Sequence, residues 1–447
     1  MKIIYDNDFD SYWKNETKQA EDKKTEKTVK KIITEVRAKG DAAVRKFASK
    51  FDKSSPERLE VSLIEVKRAY DELRASDPAL TEALEFAANN IFRFSQKQKE
   101  QFADFEYEMD TGLITGQRVI PVERAAIYVP GGRFPLFSSV LMCVIPAFCA
   151  GADEVLFSSP PAANGLPDIK ILAAAAIAAK AAGITIAGNE NAHNNRFKVF
   201  AVGGAQAIAA FAFGTESIPR ADVIAGPGNK YVAAAKRLLY GQVGIDFIAG
   251  PSDVLVITDN TSIQSADIIA ADMIAQAEHD PDARARAIVP DKEFADKIIT
   301  AIEKRLTTLP TAKTAGASLE NGLIIVCNNR EESIRIANKI APEHLELQTA
   351  DADTWIPQLK NYGSLFTGSL SAEVLGDYSA GINHTLPTSG SARFTGGLAV
   401  RHFLKTVTTL RCAQGEGFEK ARNAAEVLAR AEGLEGHAQS AVLRENK

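Results

Sequence analysis

Apolar and polar residues follow two different periods along this chain of 447 residues. In roughly the first 100 residues, apolar positions recur at helical spacing, as in KTVKKIITEVRAKGDAAVRKF, with a break at Gly40. β-branched residues then become frequent in LITGQRVIPVERAAIYVPGG. The pattern predicts a helical N-terminal part, followed by the first strands.

Strands, glycine turns and helices then alternate. RAAIYVPGG, DEVLFSSPP, KVFAVGG and ADVIAGPG are predicted strands, each followed by a predicted helix, and a second alternating stretch runs from SDVLVITD to NGLIIVCN. This order is typical of parallel sheets covered by helices. The predicted fold class is therefore α/β, with two Rossmann-like open parallel sheets. The stretch from VRHFLKTVTTLRC to the C-terminus is expected to be helical.

Composition and charge narrow the function classes. Hydrophobic residues make up 45% of the chain, charged residues 24%, and the net charge is −5, which disfavours a nucleic-acid partner. The N-terminus lacks the apolar core of a signal peptide. The Ala-rich run IKILAAAAIAAKAAGITIAG is interrupted by Lys170 and Lys180, which predicts a soluble helix and not a membrane span.

The cysteines bear on the compartment. They form no C-x-x-C pair, and all but the last have apolar neighbours: Cys143, Cys149, Cys327 and Cys412. Buried, unpaired thiols in a reducing cytoplasm are the expectation.

Turns rich in glycine occur in YVPGGRFPLFSS, AVGGAQAIAA and IAGPGNKYVAAA. Each connects a predicted strand to a predicted helix, where backbone N–H groups attract phosphate. None matches G-x-G-x-x-G, so the usual dinucleotide fingerprint is absent. Successive turns of this kind at one sheet edge indicate a nucleotide site without identifying the nucleotide.

Several histidines have polar residues as neighbours in the sequence. MIAQAEHDPD puts Gln276 and His279 at a spacing of three, which suits one bound ion if the segment is helical. LGDYSAGINHTLPTSG carries Asp377 and His384, and AEGLEGHAQSA carries Glu432 and His437. Taken singly, these motifs are equally compatible with a helix end, an ordinary loop and a polar helical tail.

KIAPEHLELQ places a carboxylate beside an imidazole, at Glu343 and His344. Pro342 disfavours continuation of the preceding helix, so both residues are expected on irregular backbone. A histidine and a carboxylate can both accept protons near neutral pH. The pair is a candidate acid/base couple.

Together these motifs resemble those of histidinol dehydrogenases, in the same order. The resemblance runs from about Gln117 to the C-terminus and includes VGGAQAIAA, AGPGNKYV, AGPSDVLVI, QAEHD, APEHLE, GDYSAGINHTLPT and EGLEGHA. It implies the last step of histidine biosynthesis, in which two NAD oxidise L-histidinol to L-histidine through the aldehyde, with one zinc ion per site.

The resemblance also implies roles for individual residues. Glu343 and His344 match the catalytic acid/base pair, with His344 taking the alcohol proton and Glu343 activating water. The zinc ligands fall on Gln276, His279, Asp377 and His437. The remaining substrate contacts fall on Ser252, His344, His384 and Glu432. The NAD contacts fall on Tyr128, Gln206 and Asn229.

Members of this family are intertwined homodimers, which implies sites shared between subunits, with Glu432 and His437 acting in trans. The expected layout is a helical segment at 1–25, a first α/β domain of 26–127 with 252–398, an NAD-binding α/β domain at 128–251, and a helical C-terminal segment at 399–447 that reaches the partner.

Two stretches depart from the family pattern. GGRFPLF contains Arg133, and ARFTGGLAVRHFLKTVTTLRC contains a TGGL run. An arginine near the site favours an anionic group. A paralogous dehydrogenase that oxidises another alcohol, such as a sulfonated propanediol, is therefore the alternative. A metal-binding or dimeric interaction protein without chemistry would lack some ligands or the base pair, and none of these is missing.

Overall fold

The computed structural model describes residues 1–16, 22–131, 135–186, 196–248, 250–259 and 265–444. The strands are β1 (Lys2–Tyr5), β2 (Glu60–Val61), β3 (Phe105–Asp110), β4 (Leu113–Pro121), β5 (Arg124–Tyr128), β6 (Glu154–Ser159), β7 (Phe197–Ala201), β8 (Val223–Ala225), β9 (Gly244–Ile245), β10 (Asp253–Ile257), β11 (Arg284–Val289), β12 (Leu323–Val326), β13 (His344–Leu347), β14 (Ser364–Thr367) and β15 (Leu404–Cys412).

The helices are α1 (Asp6–Glu16), α2 (Lys23–Phe51), α3 (Leu63–Ser76), α4 (Pro78–Lys99), α5 (Phe137–Ala150), α6 (Ile169–Ala181), α7 (Gly204–Phe213), α8 (Lys230–Leu239), α9 (Ala266–Ala277), α10 (Lys292–Leu306), α11 (Ala312–Glu320), α12 (Arg330–Ile340), α13 (Ala352–Trp355), α14 (Glu373–Tyr378), α15 (Glu416–Ala431) and α16 (Glu435–Val442). Gly40 has a φ of 50° and kinks α2, which confirms the predicted break.

The first large sheet has the order β2-β7-β6-β5-β8-β9 and is parallel except for the pair of β2 with β7. Alternate residues of β5 point to opposite faces, as a strand requires. Ala125 and Ile127 pack with α3, α4, α5 and α6. Ala126 and Tyr128 pack with α2, α7 and α8. The glycine turns at 129–131, 202–204 and 226–229 follow the carboxyl ends of its strands.

The second large sheet has the order β1-β12-β11-β10-β13-β14, and all its pairs are parallel. Val254 and Val256 of β10 face α9, α10 and α11. Leu255 and Ile257 face α1 and α12. Two largely parallel sheets with helices on both faces confirm the predicted α/β class.

A smaller antiparallel sheet has the order β15-β4-β3. β15 pairs with β4 along its whole length, from Leu404 opposite Pro121 to Cys412 opposite Leu113. α15 packs on β3 and β4, and α16 packs on α15. These five elements are called the C-terminal module below. The prediction of an entirely helical segment at 399–447 is wrong for β15, because the β-branched run TVTT extends against a strand distant in sequence.

The predicted domain layout is wrong in two further places. Residues 26–127 were assigned with 252–398, but α2, α3 and α4 bury their apolar faces against the first large sheet and its helices. Residues 1–25 were expected to be helical, but Lys2–Tyr5 forms an edge strand of the second large sheet. In both cases tertiary packing decides which large sheet the segment joins, and a local sequence pattern does not reveal that packing.

Within the described residues, no helix is both long and apolar enough to traverse a bilayer. The Ala-rich α6 is buried among α3, α4 and α5, which explains its lack of a polar face. Cys143, Cys149 and Cys327 are buried free thiols, as predicted, and Cys412 is free and exposed.

Candidate active site

A cavity of about 930 Å³ lies between the two large sheets. Pro130 and residues 227–229 line it from the carboxyl ends of strands of the first sheet, whereas Ser252 and Glu343 immediately precede strands of the second. The carboxyl edge of one sheet therefore faces the amino edge of the other. The walls bring together most of the predicted catalytic, metal and substrate residues: Ser252, Gln276, His279, Glu343, His344, Asp377 and His384.

The backbone around the acid/base couple is more regular than predicted. α12 ends with Ala341 in the left-handed region, at a φ of 52°, and Pro342 follows. His344 is then the first residue of β13, paired with β10 on one side and β14 on the other. The expectation of irregular backbone is wrong for His344, because central pairing in a parallel sheet satisfies its main chain. Glu343 and His344 are both almost fully buried.

Glu343 is held by a reciprocal contact with Asp253. The Asp253 amide donates to Glu343 Oε2 at 3.0 Å, and the Glu343 amide donates to Asp253 Oδ1 at 3.3 Å. Arg286 Nη1 donates to Asp253 Oδ2 at 2.9 Å. Burial raises the pKa of Glu343 to about 8, with help from Asp253 and against the pull of His344. The carboxylate is thus a stronger base than an exposed glutamate.

The imidazole of His344 is surrounded by carboxyl groups. Nδ1 lies 3.5 Å from Glu373 Oε1 and 3.9 Å from Glu343 Oε2, and Nε2 lies 3.3 Å from Asp377 Oδ1. Burial opposes the charged ring, but Glu373 and Glu343 outweigh it and raise the pKa of His344 above its usual value. The ring is therefore well suited to accept a proton.

The predicted metal ligands of this chain converge on the same cavity. Gln276 lies in the last turn of α9, His279 lies just beyond the end of that helix, and Asp377 lies on α14. The expectation that Gln276 and His279 share one helix face is therefore only half right. The side chains of Gln276 and Asp377 are buried, whereas His279 is exposed at the open side of the cavity.

Unsatisfied polar atoms support a cation at this point. Among the described residues, Gln276 Oε1 is buried without a hydrogen-bond partner, and Asp377 Oδ1 and the ring nitrogens of His344 are buried with close ionic contacts but no well-aligned hydrogen bond. Buried polar groups normally have a partner. A cation that accepts oxygen and nitrogen ligands, as zinc does, would satisfy the oxygens of Gln276 and Asp377. The residues present therefore fit a metal ion.

Glu373 belongs to the site, although the sequence reasoning missed it. Ligand atoms of His344, Glu373 and Asp377 all lie within 4.8 Å of one another. Burial raises the pKa of Glu373 well above its usual value, although His344 opposes the shift. The available signal was the spacing of four residues between Glu373 and Asp377, which places both on one face of a helix.

His384 is oriented by two hydrogen bonds. Nδ1 lies 2.7 Å from the main-chain oxygen of Asp377, which can only accept, so Nδ1 carries the proton. Nε2 then accepts from Ser139 Oγ at 2.9 Å. Burial lowers the pKa of His384. A neutral imidazole in the cavity wall suits contact with a polar substrate, as predicted for this residue.

A second cavity, of about 610 Å³, contains the predicted NAD contacts Tyr128, Gln206 and Asn229. It shares Pro130 and Asn229 with the larger cavity, so the two cavities adjoin and are together called the cleft below. Tyr128 Oη accepts from the Gly204 amide at 3.0 Å. Asn229 Oδ1 caps α8 by accepting from the amides of Tyr231 and Val232.

Two predicted residues lie elsewhere in this chain. Glu432 and His437 belong to the C-terminal module, are exposed, and do not line either cavity. The same module exposes apolar side chains, with exposed fractions that range from 55% for Phe105 to 73% for Leu443: Phe105, Tyr107, Met109, Leu410, Val427, Leu428 and Leu443. Arg133, on which the alternative specificity depended, lies outside the described residues.

Comparison with known proteins points to one family. The model of the histidinol dehydrogenase family matches residues 15–445. Histidinol dehydrogenase of Pseudomonas syringae pv. syringae (strain B728a) is 43% identical over 414 residues, which cover 92% of this chain and 88% of that protein. Its counterpart in Aquifex aeolicus (strain VF5) is 43% identical over 424 residues, which cover 94% and 92% respectively.

A solved structure agrees. The crystal structure of histidinol dehydrogenase from Elizabethkingia anophelis superposes with a TM-score of 0.87 at 35% identity, covering 97% of this chain and 95% of that one. The likeness includes the part of the chain that carries the cavity and the C-terminal module. This chain therefore belongs to the histidinol dehydrogenase family, whose members are NAD-dependent oxidoreductases.

Proposed function

We propose that this chain catalyses the zinc-dependent oxidation of L-histidinol to L-histidine by two NAD, through L-histidinaldehyde, in the last step of histidine biosynthesis. The observation that carries the proposal is the convergence of Gln276, His279 and Asp377 with Glu343 and His344 on one cavity. That cavity adjoins the one lined by Tyr128, Gln206 and Asn229.

His344 performs the proton transfer of the alcohol oxidation. Its ring lies at the cavity wall and is flanked by Glu343, Glu373 and Asp377. As the carbinol carbon loses a hydride, the hydroxyl proton moves to the imidazole, and the carboxylates stabilise the resulting imidazolium. When bound, NAD would supply the hydride acceptor for each of the two oxidations.

Glu343 serves the aldehyde oxidation. The main-chain amide of Asp253 fixes Oε2, which orients the carboxylate within the cavity. The ionised form of Glu343, which its pKa of about 8 makes more basic than an ordinary carboxylate, takes a proton from water as the water oxygen bonds to the aldehyde carbon. The hydrate then loses a hydride and a proton to yield the carboxylic acid.

Gln276, His279 and Asp377 would hold the zinc ion, together with His437 from a second copy of the chain. When bound, zinc would orient the imidazole and amino nitrogens of the substrate. The buried, unsatisfied oxygens of Gln276 and Asp377 support this ligand set. Ser252 and His384 line the same cavity and are available for substrate contacts.

A homodimer completes the site in this proposal. His437 and Glu432 are exposed on the C-terminal module and line neither cavity of their own chain, and the same module exposes several apolar side chains. Exposed apolar patches of this kind mark association surfaces. A twofold dimer places two identical modules reciprocally, so each chain would supply Glu432 and His437 to the other.

The alternative, oxidation of another alcohol such as a sulfonated propanediol, is not favoured. The relatives reported above are all named histidinol dehydrogenases, and their likeness extends over almost the whole chain. Steady-state turnover of L-histidinol and of a sulfonated propanediol with NAD tests the choice. We expect two NADH per L-histidinol, loss of activity with a chelator and recovery with zinc. Faster turnover of the sulfonated diol would overturn the proposal.

A further inference from the structure

The smaller cavity contains a carboxylate to which no role has been assigned. Asp52 follows the last residue of α2 and lines this cavity beside Gln206. It accepts a hydrogen bond from the main-chain amide of Gly203 and another from Gln206 Nε2 at 3.3 Å. Burial raises the pKa of Asp52 to about 6, so the side chain is ionised at neutral pH despite its half-buried position.

The direction of NAD within the cleft follows from the two cavities. Hydride transfer requires the nicotinamide beside His344, which lines only the larger cavity. The two cavities meet at Pro130 and Asn229, which line both of them. The other end of the dinucleotide, the adenosine, therefore extends into the smaller cavity. The sugar that reaches this cavity is the adenosine ribose, where NAD and NADP differ.

Asp52 changes what the turn at the start of α7 can bind. The sequence alone made this turn a candidate for phosphate, because N–H groups point outward at the start of a helix. The amide of Gly203 instead donates to Asp52, and a Cβ on Gly203 would meet Asp52 Oδ1 at 2.5 Å. A phosphate here would lie against a carboxylate, whereas a ribose hydroxyl could donate to it.

We propose that Asp52 accepts hydrogen bonds from the hydroxyls of the adenosine ribose and repels the 2′-phosphate of NADP, so that it selects NAD. A carboxylate has this function at the nucleotide site of many dinucleotide-binding proteins, although the present turn lacks their glycine fingerprint. The inference rests on the proposed function for the placement of NAD in the cleft.

Two other charged residues line the smaller cavity. Lys53 is exposed and follows Asp52 directly, and Asp168 caps α6 by accepting from the Lys170 amide at 2.9 Å. The Asp168 carboxylate is therefore engaged as the N-cap of α6. Asp52, in contrast, lies beside Gln206, a predicted NAD contact. This difference makes Asp168→Asn a matched control with the same change of charge in the same cavity.

The test compares Asp52→Asn with the unaltered dimer and with Asp168→Asn. Dissociation constants of NADH and NADPH are measured by fluorescence titration, and kcat/KM for NAD and NADP with L-histidinol. Asparagine retains an oxygen for the Gly203 amide, so the turn is preserved. We expect the preference for NAD over NADP to fall on the order of tenfold or more in Asp52→Asn, because a like-charge repulsion is removed. Asp168→Asn should keep the original preference.

Equal weakening of both cofactors by Asp52→Asn would assign Asp52 a structural role and overturn the inference, while leaving the proposed function intact. If Asp52→Asn does not fold, Asp52→Ser, which also retains an oxygen, is tested instead, and its preference for NAD over NADP decides. Absence of any NADH binding to the unaltered dimer would instead refute the proposed function itself. The two failures are therefore distinguishable.

Discussion

The catalytic cavity and the C-terminal module differ in how far a single chain completes them. In the cavity, Glu343, His344 and Asp377 are almost fully buried, and each contacts other polar groups of the same chain. In the module, Leu428 and Val427 are about two-thirds exposed, at 64% and 66%, and His437 is also exposed. Under the proposed ligand set, the cavity supplies three metal ligands from its own chain, and the fourth, His437, lies on the module.

The two regions would complete each other in the proposed dimer. A buried cluster of titratable groups is stable only when its charges are matched, whereas an exposed apolar surface is stable only when it is covered. One association event, in which the module of each chain covers the cavity of the other, meets both requirements. The predictions below test each region and then the link between them.

The largest effect is expected from His344→Asn, within the cavity. Removing the proton acceptor should lower kcat by about two to four orders of magnitude. Zinc content, measured by atomic absorption, should not change, because His344 is outside the proposed ligand set. An unchanged kcat would reject the catalytic role of His344. Loss of zinc would instead indicate that His344 is a metal ligand, together with Glu373 and Asp377.

Glu343→Gln should separate the two oxidations. The amide cannot take a proton from water, so conversion of L-histidinaldehyde to L-histidine should slow by on the order of a hundredfold. Conversion of L-histidinol to the aldehyde should slow much less, because His344 remains. Single-turnover NADH formation from each starting compound measures both rates. Equal losses in the two oxidations would contradict the assigned role.

Leu428→Asp tests the module. In an isolated chain, a change at an exposed position should alter stability by less than about 0.5 kcal/mol and leave activity intact. If the module is covered by a second copy, the new charge is buried at the interface, and the dimer should dissociate and lose activity. Sedimentation and steady-state assays report both. Phe86→Asp, at a residue 60% exposed on α4, is the control.

The smallest effect is expected from Asp52→Asn on stability. Burial raises the pKa of Asp52 to about 6 from 3.8, so between these values the folded chain retains a proton that the unfolded chain has released. Ionised Asp52 therefore lowers the free energy of unfolding. This destabilisation is complete above pH 6 and is absent below pH 4. Asp52→Asn should stabilise the chain by about 1 kcal/mol at pH 7 and hardly at pH 4, allowing for partial exposure. Equal effects in urea unfolding at both pH values would contradict this account.

The sequence predicted the cavity better than the module for a physical reason. Strand, turn and helix repeat at short range in both large sheets, so local periodicity predicts them. Polar residues such as Gln276 and Asp377 stand out against the apolar segments around them. β15 was missed because the strand that pairs with it, β4, is remote in sequence, and a local pattern contains no information about such a partner.

Contacts between side chains were the least accessible to sequence reasoning. Asp52 was missed because nothing in KFDKS separates a buried carboxylate from an exposed one, and Glu373 was missed because its spacing of four from Asp377 in SAEVLGDYSA does not reveal burial. Only tertiary packing places Glu373 of α14 beside His344, and Asp52 at the end of α2 beside Gln206 in the smaller cavity. The assignment of α2, α3 and α4 to the first sheet was missed for the same reason.

Mixing two inactive variants tests the sharing of sites between subunits most directly. His344→Asn disables the cavity and keeps the module, whereas His437→Ala keeps the cavity and disables the module. After denaturation and refolding in equal amounts, random pairing gives mixed dimers with one intact site each, and the account predicts recovery of about one quarter of the unaltered activity. If no activity returns although mixed dimers form, each site is complete within its own chain and the account is wrong.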